Sequence, residues 1–205
     1  MIRGHARPLW VLAAAALMAG CASTQFTNIW KDPNYVGGPF KKIVVMGVSG
    51  EDARRRTFED IFTAKLRAAG VEAVPSYTLV PENGKVDKER LRAAVQKAGA
   101  DGALVTRLVS IDHETRYSPG YVSVVPAVGY YRDFYGYYSS AWTYYTPPQV
   151  YQYDVVTLET NLWDVTKESL VWSATTETFA PGEFRREVAA FSDLVVGALR
   201  EKRLI

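Results

Sequence analysis

The chain has 205 residues and a formal net charge of +2. That length suits one ordinary domain, and so balanced a charge gives no electrostatic footprint for nucleic acid. A single cysteine excludes an intramolecular disulfide, so its position needs another explanation.

The N-terminus supplies one. Arg3 and Arg7 precede a short apolar run from Leu9 to Met18. A charged start followed by such a run has the layout of a secretory signal. The run is well short of the roughly 20 apolar residues that a transmembrane helix needs. It ends in Leu17-Met18-Ala19-Gly20-Cys21, which resembles the bacterial lipobox, although Met18 stands where leucine is usual. The resemblance implies removal of residues 1–20 as a signal peptide, diacylglyceryl attachment to the Cys21 thiol, and acylation of the new amine. Ala22 and Ser23 lack the aspartate that marks inner-membrane retention in enteric bacteria, so it also implies the outer membrane's periplasmic face. The other reading is an ordinary signal peptide cut near Ala22 and Ser23, with Cys21 discarded.

Residues 21–39 read as a lipidated tether, because Asp32-Pro33-Asn34 and Gly37-Gly38-Pro39 break regular structure. Trp30 and Tyr35 are large for a linker and are expected to pack on the domain, which would begin to order near Ile29. Residues 40–205 read as a single α/β domain.

Lys42 to Val48 is a continuous apolar run and reads as a buried strand. Glu51 to Ala69 carries Phe58, Ile61, Phe62 and Leu66 at helical spacing, and Gly70 stops it. A second strand follows at Val71 to Pro75. A second helix spans Asp87 to Ala98, with Asp87 as N-cap. A third strand runs from Gly102 to Ile111. Tyr151 to Val165 and Glu168 to Phe179 alternate on either side of Thr166-Lys167, as an antiparallel hairpin would. Phe184, Val188, Phe191, Val195 and Leu199 give the last helix, about Glu183 to Lys202, one apolar stripe. The expected architecture is a mixed sheet of about five strands, three of them joined by parallel crossovers, with the hairpin and three helices.

Between the third strand and the hairpin, residues 115–150 form a tyrosine-rich insertion. Tyr130, Tyr131, Tyr135, Tyr137, Tyr138, Trp142, Tyr144 and Tyr145 stand among serine, glycine and proline. Tyrosine offers a large ring face with a polar tip, which suits a recognition surface. The expected partners are an envelope protein or a glycan there, and the membrane through the lipid on Cys21. A flexible, low-complexity loop folded over its own sheet is the alternative.

Catalytic constellations are weak. Ser49 follows a strand as a nucleophile would, but Gly47-Val48-Ser49-Gly50-Glu51 lacks the closing glycine of a nucleophile elbow. Ser49 reads instead as a helix N-cap. His113 is the one histidine of the mature chain, and strand alternation turns it away from Asp112 and Glu114. Zinc would draw on several His or Cys side chains, and neither nucleotide-binding glycine motif occurs. Arg54, Arg55 and Arg56 read as a solvated helix face, with an anion site as the alternative. No catalytic residue, metal or cofactor is assigned.

The element order of residues 40–114 after a lipobox looks like that of a group of small envelope proteins. It includes the TolB N-terminal domain, the curli secretion lipoprotein, and lipoprotein activators of peptidoglycan synthases. Trp30-Lys31-Asp32-Pro33, Arg55 to Asp60, Leu162-Trp163-Asp164 and Leu170-Val171-Trp172 also resemble bacterial lipoproteins built on a domain of unknown function. These resemblances imply a lipid-anchored binding or structural module in envelope assembly or maintenance. A cell-wall or glycan-acting lipoprotein enzyme, or a subunit of an outer-membrane secretion pore, are the alternatives.

Overall fold

The computed structural model describes residues 23–82, 84–122 and 145–205. They form, in order, β1 (Ser23–Lys31), β2 (Lys42–Val48), α1 (Asp52–Ala68), β3 (Glu72–Pro75), α2 (Lys88–Lys97), β4 (Gly102–Ser118), β5 (Tyr121–Val122), β6 (Tyr145–Thr146), β7 (Gln149–Asp164), β8 (Ser169–Phe179) and α3 (Phe184–Glu201). A single 3-10 turn, Ser76–Thr78, follows β3. Six strands make one mixed sheet in the order β1-β8-β7-β4-β2-β3. β2 is parallel to both β3 and β4, and every other pairing is antiparallel.

The expected α/β class, parallel crossovers, hairpin and three helices are all present. The sheet has one more strand than expected, and it comes from the stretch read as a tether. Residues 23–31 pair with β8 from Ser23–Phe179 to Lys31–Trp172. The reason is hydrophobic. Phe26 sets its ring edge against Trp172 at 6.4 Å, 88° apart, which covers the largest side chain of the buried core. The turn that follows is held by Asp32, whose side chain accepts from the Asn34 amide at 2.9 Å. Tyr35 packs as expected, stacked on Phe40 at 5.8 Å, whereas Trp30 stays half-exposed.

β2, β3 and β4 are connected by two crossovers of opposite sense across the sheet. With both right-handed, α1 lies on one face and α2 on the other. α1 and α3 pack side by side over the first face. Phe58 and Phe62 of α1 meet the Phe191 ring of α3, each at 6.0 Å. Beneath them lie Val45, Leu104, Leu162 and Trp172, one from each of four neighbouring strands. On the opposite face Val44 and Ala103 are buried too, as is Val95 of α2.

The ends of the helices follow the sequence signals. Asp87 caps α2 by accepting from the amides of Glu89 and Arg90. Gly70, at φ +90, ends α1 in a conformation that L side chains rarely adopt. The β7–β8 hairpin is closed by Asp164, whose Oδ1 accepts from the amides of Thr166 and Lys167, both at 3.0 Å. Glu168 in that turn binds Arg92 of α2 at 2.6 Å, which fastens the helix to the hairpin.

The Phe58–Phe62–Phe191 cluster is what joins the two helices. Phe62→Ala should therefore destabilise the protein by about 3–5 kcal/mol. Urea unfolding followed by circular dichroism measures it, and a change below 1 kcal/mol would show that the cluster is not a structural joint.

Candidate functional site

Three neighbouring features lie at one end of the sheet: a buried ion pair, an apolar cleft and a projecting ribbon. The ion pair sets the shape of the cleft.

Arg55 and Glu59 are one helical turn apart in α1 and both are buried, Glu59 fully so. Arg55 Nε donates to Glu59 Oε1 at 3.1 Å. The remaining guanidinium nitrogens donate to the Glu82 carbonyl at 2.8 Å, the Val80 carbonyl at 3.1 Å and Ser76 Oγ at 3.0 Å. Glu59 in turn accepts from Ser76 Oγ at 2.7 Å and from the amides of Gly47 and Tyr77, both at 3.0 Å. The expectation of a solvated face holds for Arg54 and Arg56, which pair on the surface with Glu51 and Asp52. Arg55 corrects it: the helical turn points this one side chain inward, toward the loop after β3. No anion is needed to satisfy it, because protein acceptors do so.

One of the two amides that Glu59 holds belongs to Gly47, at the end of β2. A Cβ there would stand 2.9 Å from the Phe58 ring, so glycine lets that ring lie against the strand. Phe58 forms one wall of a cleft of about 840 Å³. Leu108 and Ile111 of β4, Val156 and Leu158 of β7, and Phe184, Val188 and Phe191 of α3 also line it. Leu108 and Ile111 are three residues apart and would normally face opposite sides of a strand. A bulge between Leu108 and Ser110 brings both to the helix side, opposite Leu158 and Val156.

Polar groups stand at the rim. The Arg54 guanidinium lies 5.7 Å from the centre of the Phe184 ring. Glu183 caps α3, accepting from the amides of Arg185 at 2.9 Å and Arg186 at 3.0 Å. These two hydrogen bonds, Arg185's first, hold the Glu183 carboxyl below its ordinary range. Ser49 lines the cleft but is not the N-cap of α1. Glu51 occupies that place, and Ser49 Oγ accepts from its amide at 3.1 Å. His113 lies on the ribbon, where its Nδ1 is 2.6 Å from Asp154 Oδ1. Ser49 and His113 thus have separate partners. Asp154 came into view only through the cross-strand register.

Beyond Asp112 and Val155, β4 and β7 leave the other strands and continue as a two-stranded ribbon. It runs from the His113–Asp154 pair to the Ser118–Gln149 pair. Residues 115–118 and 149–150, expected within the tyrosine-rich insertion, are therefore strand. Pro119, Pro147 and Pro148 supply no backbone N–H, and there the ladder breaks. It resumes in a separate pair, β5 with β6, through Tyr121–Thr146 and Val122–Tyr145. The ribbon is exposed, with Tyr117 and Val150 at 63% and Tyr151 at 51% of full accessibility. Tyr153 donates its hydroxyl to Glu114 at 2.8 Å, and that bond raises the phenol above its ordinary value.

Tyr145 belongs to β6. Tyr130, Tyr131, Tyr135, Tyr137, Tyr138, Trp142 and Tyr144 lie outside the described residues, as does Cys21. Among the described residues, no group of three or more His, Cys, Asp or Glu side chains is arranged to hold a metal ion. The described residues include no helix long and apolar enough to cross a membrane.

No protein-family model matches the chain, and no curated protein matches it. Solved structures do show distant likenesses. The PelC dodecamer from Paraburkholderia phytofirmans is similar over 86% of this chain and 97% of its own, at 16% identity and a TM-score of 0.44. The lipoprotein GNA1162 from Neisseria meningitidis is similar over 78% of this chain and 96% of its own, at 12% identity and a TM-score of 0.40. A putative neuraminyllactose-binding hemagglutinin homolog from Helicobacter pylori is similar over 80% of this chain and 87% of its own, at 10% identity and a TM-score of 0.33. At such values the likenesses carry no inference about function.

Arg55→Met leaves a buried carboxylate without its cation and should cost about 3–5 kcal/mol. Arg54→Met and Arg56→Met remove only surface ion pairs and surface ring contacts and should each shift the unfolding midpoint far less than Arg55→Met does. Equal losses in chemical unfolding at all three positions would contradict the buried role of Arg55. The folded-state pKa of Glu183 is depressed, so its contribution is present above the ordinary carboxylate value and is lost as pH falls through the folded one. The stability gap between wild type and Glu183→Ala should be open at neutral pH and should close in the acid range below that ordinary value. A gap that widens on acidification would contradict the cap.

Proposed function

We propose that this protein is a lipid-anchored envelope protein, held through Cys21 at the periplasmic face of the outer membrane. It acts there as a binding module in envelope assembly or maintenance. The lipobox-like stretch at residues 17–21 supports the anchor. The ribbon is the observation that carries the binding role. Two strands continue past their described neighbours, no described helix covers them, and they lead into and out of residues 123–144. Most of the aromatic cluster lies in that stretch. A sheet that only had to close on itself would turn within a few residues. The described part of the hydrophobic core is built from other side chains.

In this reading Tyr130, Tyr131, Tyr135, Tyr137, Tyr138, Trp142, Tyr144 and Tyr145 engage an envelope protein or a glycan. Ring faces and hydroxyl tips suit either partner. The reading has no catalytic step. The serine and histidine that could have made one have separate partners, Ser49 with Glu51 and His113 with Asp154.

The test is complementation. A strain lacking the gene is supplied with the wild type or with a variant carrying serine at those eight positions. The variant should reach normal abundance, and its circular dichroism should match the wild type, yet it should fail to restore resistance to bile salts and vancomycin. Full restoration by the variant would contradict the binding role of the cluster.

A further inference from the structure

The end of the sheet that carries the ribbon is also the end at which β1 begins. Ser23 pairs with Phe179, Phe179 with Val155, and Val155 with Asp112, so one row crosses four strands. Cys21 stands two residues before Ser23. An extended chain advances at most about 3.6 Å per residue, so Cys21 lies within about 7 Å of that row. The ribbon leaves the same row and points away from the body of the sheet. Its six residue pairs, His113–Asp154 to Ser118–Gln149, carry it about 20 Å at the usual strand rise. It therefore reaches farther than the anchoring link.

We propose that the ribbon rests on the surface of the bilayer that holds the anchor, with Tyr117, Val150 and Tyr151 at the level of the lipid headgroups. The proposal rests on the lipidation of Cys21 proposed above. Its basis is a constraint on orientation. β1 has nine residues, a length of about 30 Å. Turning the ribbon away from the membrane would also turn the start of β1 away. A link of about 7 Å could not bring Cys21 back past the length of that strand. The ribbon must then point toward the bilayer or lie along it.

Its chemistry decides between crossing and resting. Past the Asp154 carbonyl, which accepts from the Ala180 amide at 2.8 Å, no described strand pairs with either outer edge of the ribbon, and hydrocarbon does not tolerate such edges. His113, Glu114 and Arg116 on β4, with Asp154 on β7, are further reasons against the hydrocarbon core. Tyrosine is enriched at the boundary between headgroups and acyl chains. Tyr117 and Val150 are directly paired and share one face, while Tyr151 is paired with Arg116 on the other. A cationic side chain can bury its stem there and keep its charge among phosphates. The partner of this surface is accordingly a lipid bilayer, reached without insertion across it.

The experiment uses the full lipidated protein in vesicles of phosphatidylethanolamine and phosphatidylglycerol. Nitroxide labels are placed through Tyr117→Cys and Val150→Cys on the ribbon. A third goes in through Thr166→Cys, in the hairpin turn at the far end of the sheet. On reconstitution, collision with a water-soluble nickel chelate should fall several-fold at positions 117 and 150 and stay unchanged at 166. If the protein floats with the vesicles while all three labels meet the chelate equally, the proposal is overturned and the anchor stands. If it floats no better than the Cys21→Ala protein, the anchor itself fails and takes the proposal with it. Protection that appears only when membrane proteins are added would assign the ribbon to a protein partner, and would equally overturn it.

Discussion

The Glu59 carboxylate is fully buried, and a buried charge costs several kcal/mol unless its partners replace what water supplied. Much of the local architecture is the set of those partners. Gly47 brings the end of β2, Arg55 the preceding turn of α1, and Ser76 and Tyr77 the chain just after β3. Arg55 then fastens the following loop through the carbonyls of Val80 and Glu82. The parallel half of the sheet, its covering helix and the next loop thus share one polar centre. With Gly47 held there and bare of a Cβ, Phe58 can lie against the strand and form the wall of the cleft. Hydrophobic burial supplies the bulk of the stability, while this pair fixes how α1 sits.

Elements with strong periodicity were legible in the sequence. The apolar run of β2, the stripes of α1 and α3, the glycine stop at Gly70 and the Asp87 cap all appear within a residue or two of expectation. β1 was not legible, because Ser23 to Lys31 carries its meaning in long-range contacts, Phe26 on Trp172, Thr24 on Thr178 and Lys31 on the Lys202 carbonyl. The flanking Asp32-Pro33-Asn34 turn signals pointed to a tether. Arg55 was misjudged for a related reason. Three consecutive arginines look alike in sequence, and only the helical turn separates the one facing the loop after β3 from the two facing water. The cleft was hidden as well. Its inward residues were visible as helix stripes, but the β4 bulge that turns both Leu108 and Ile111 toward them has no signature in the sequence.

The strand register relates features that are far apart in sequence. The start of β1, the end of β8, the mouth of the cleft and the base of the ribbon all fall at one end of the sheet. The opposite end carries the β7–β8 hairpin, tied to α2 through Glu168, Arg92 and Lys88. A lipid on Cys21 would therefore present a defined end of a stiff sheet to the membrane. The binding role and the anchor are then one arrangement, because the short link to β1 sets where the ribbon can go.

Everything in that arrangement depends on Cys21. The most direct measurement is the intact mass of the protein extracted from membranes, beside that of Cys21→Ala. The account predicts a mass for residues 21–205 plus acyl groups in the wild type, and a variant that has lost both the acyl mass and the membrane association. A wild-type mass without lipid would contradict it and leave the cleft and ribbon as features of an unanchored protein.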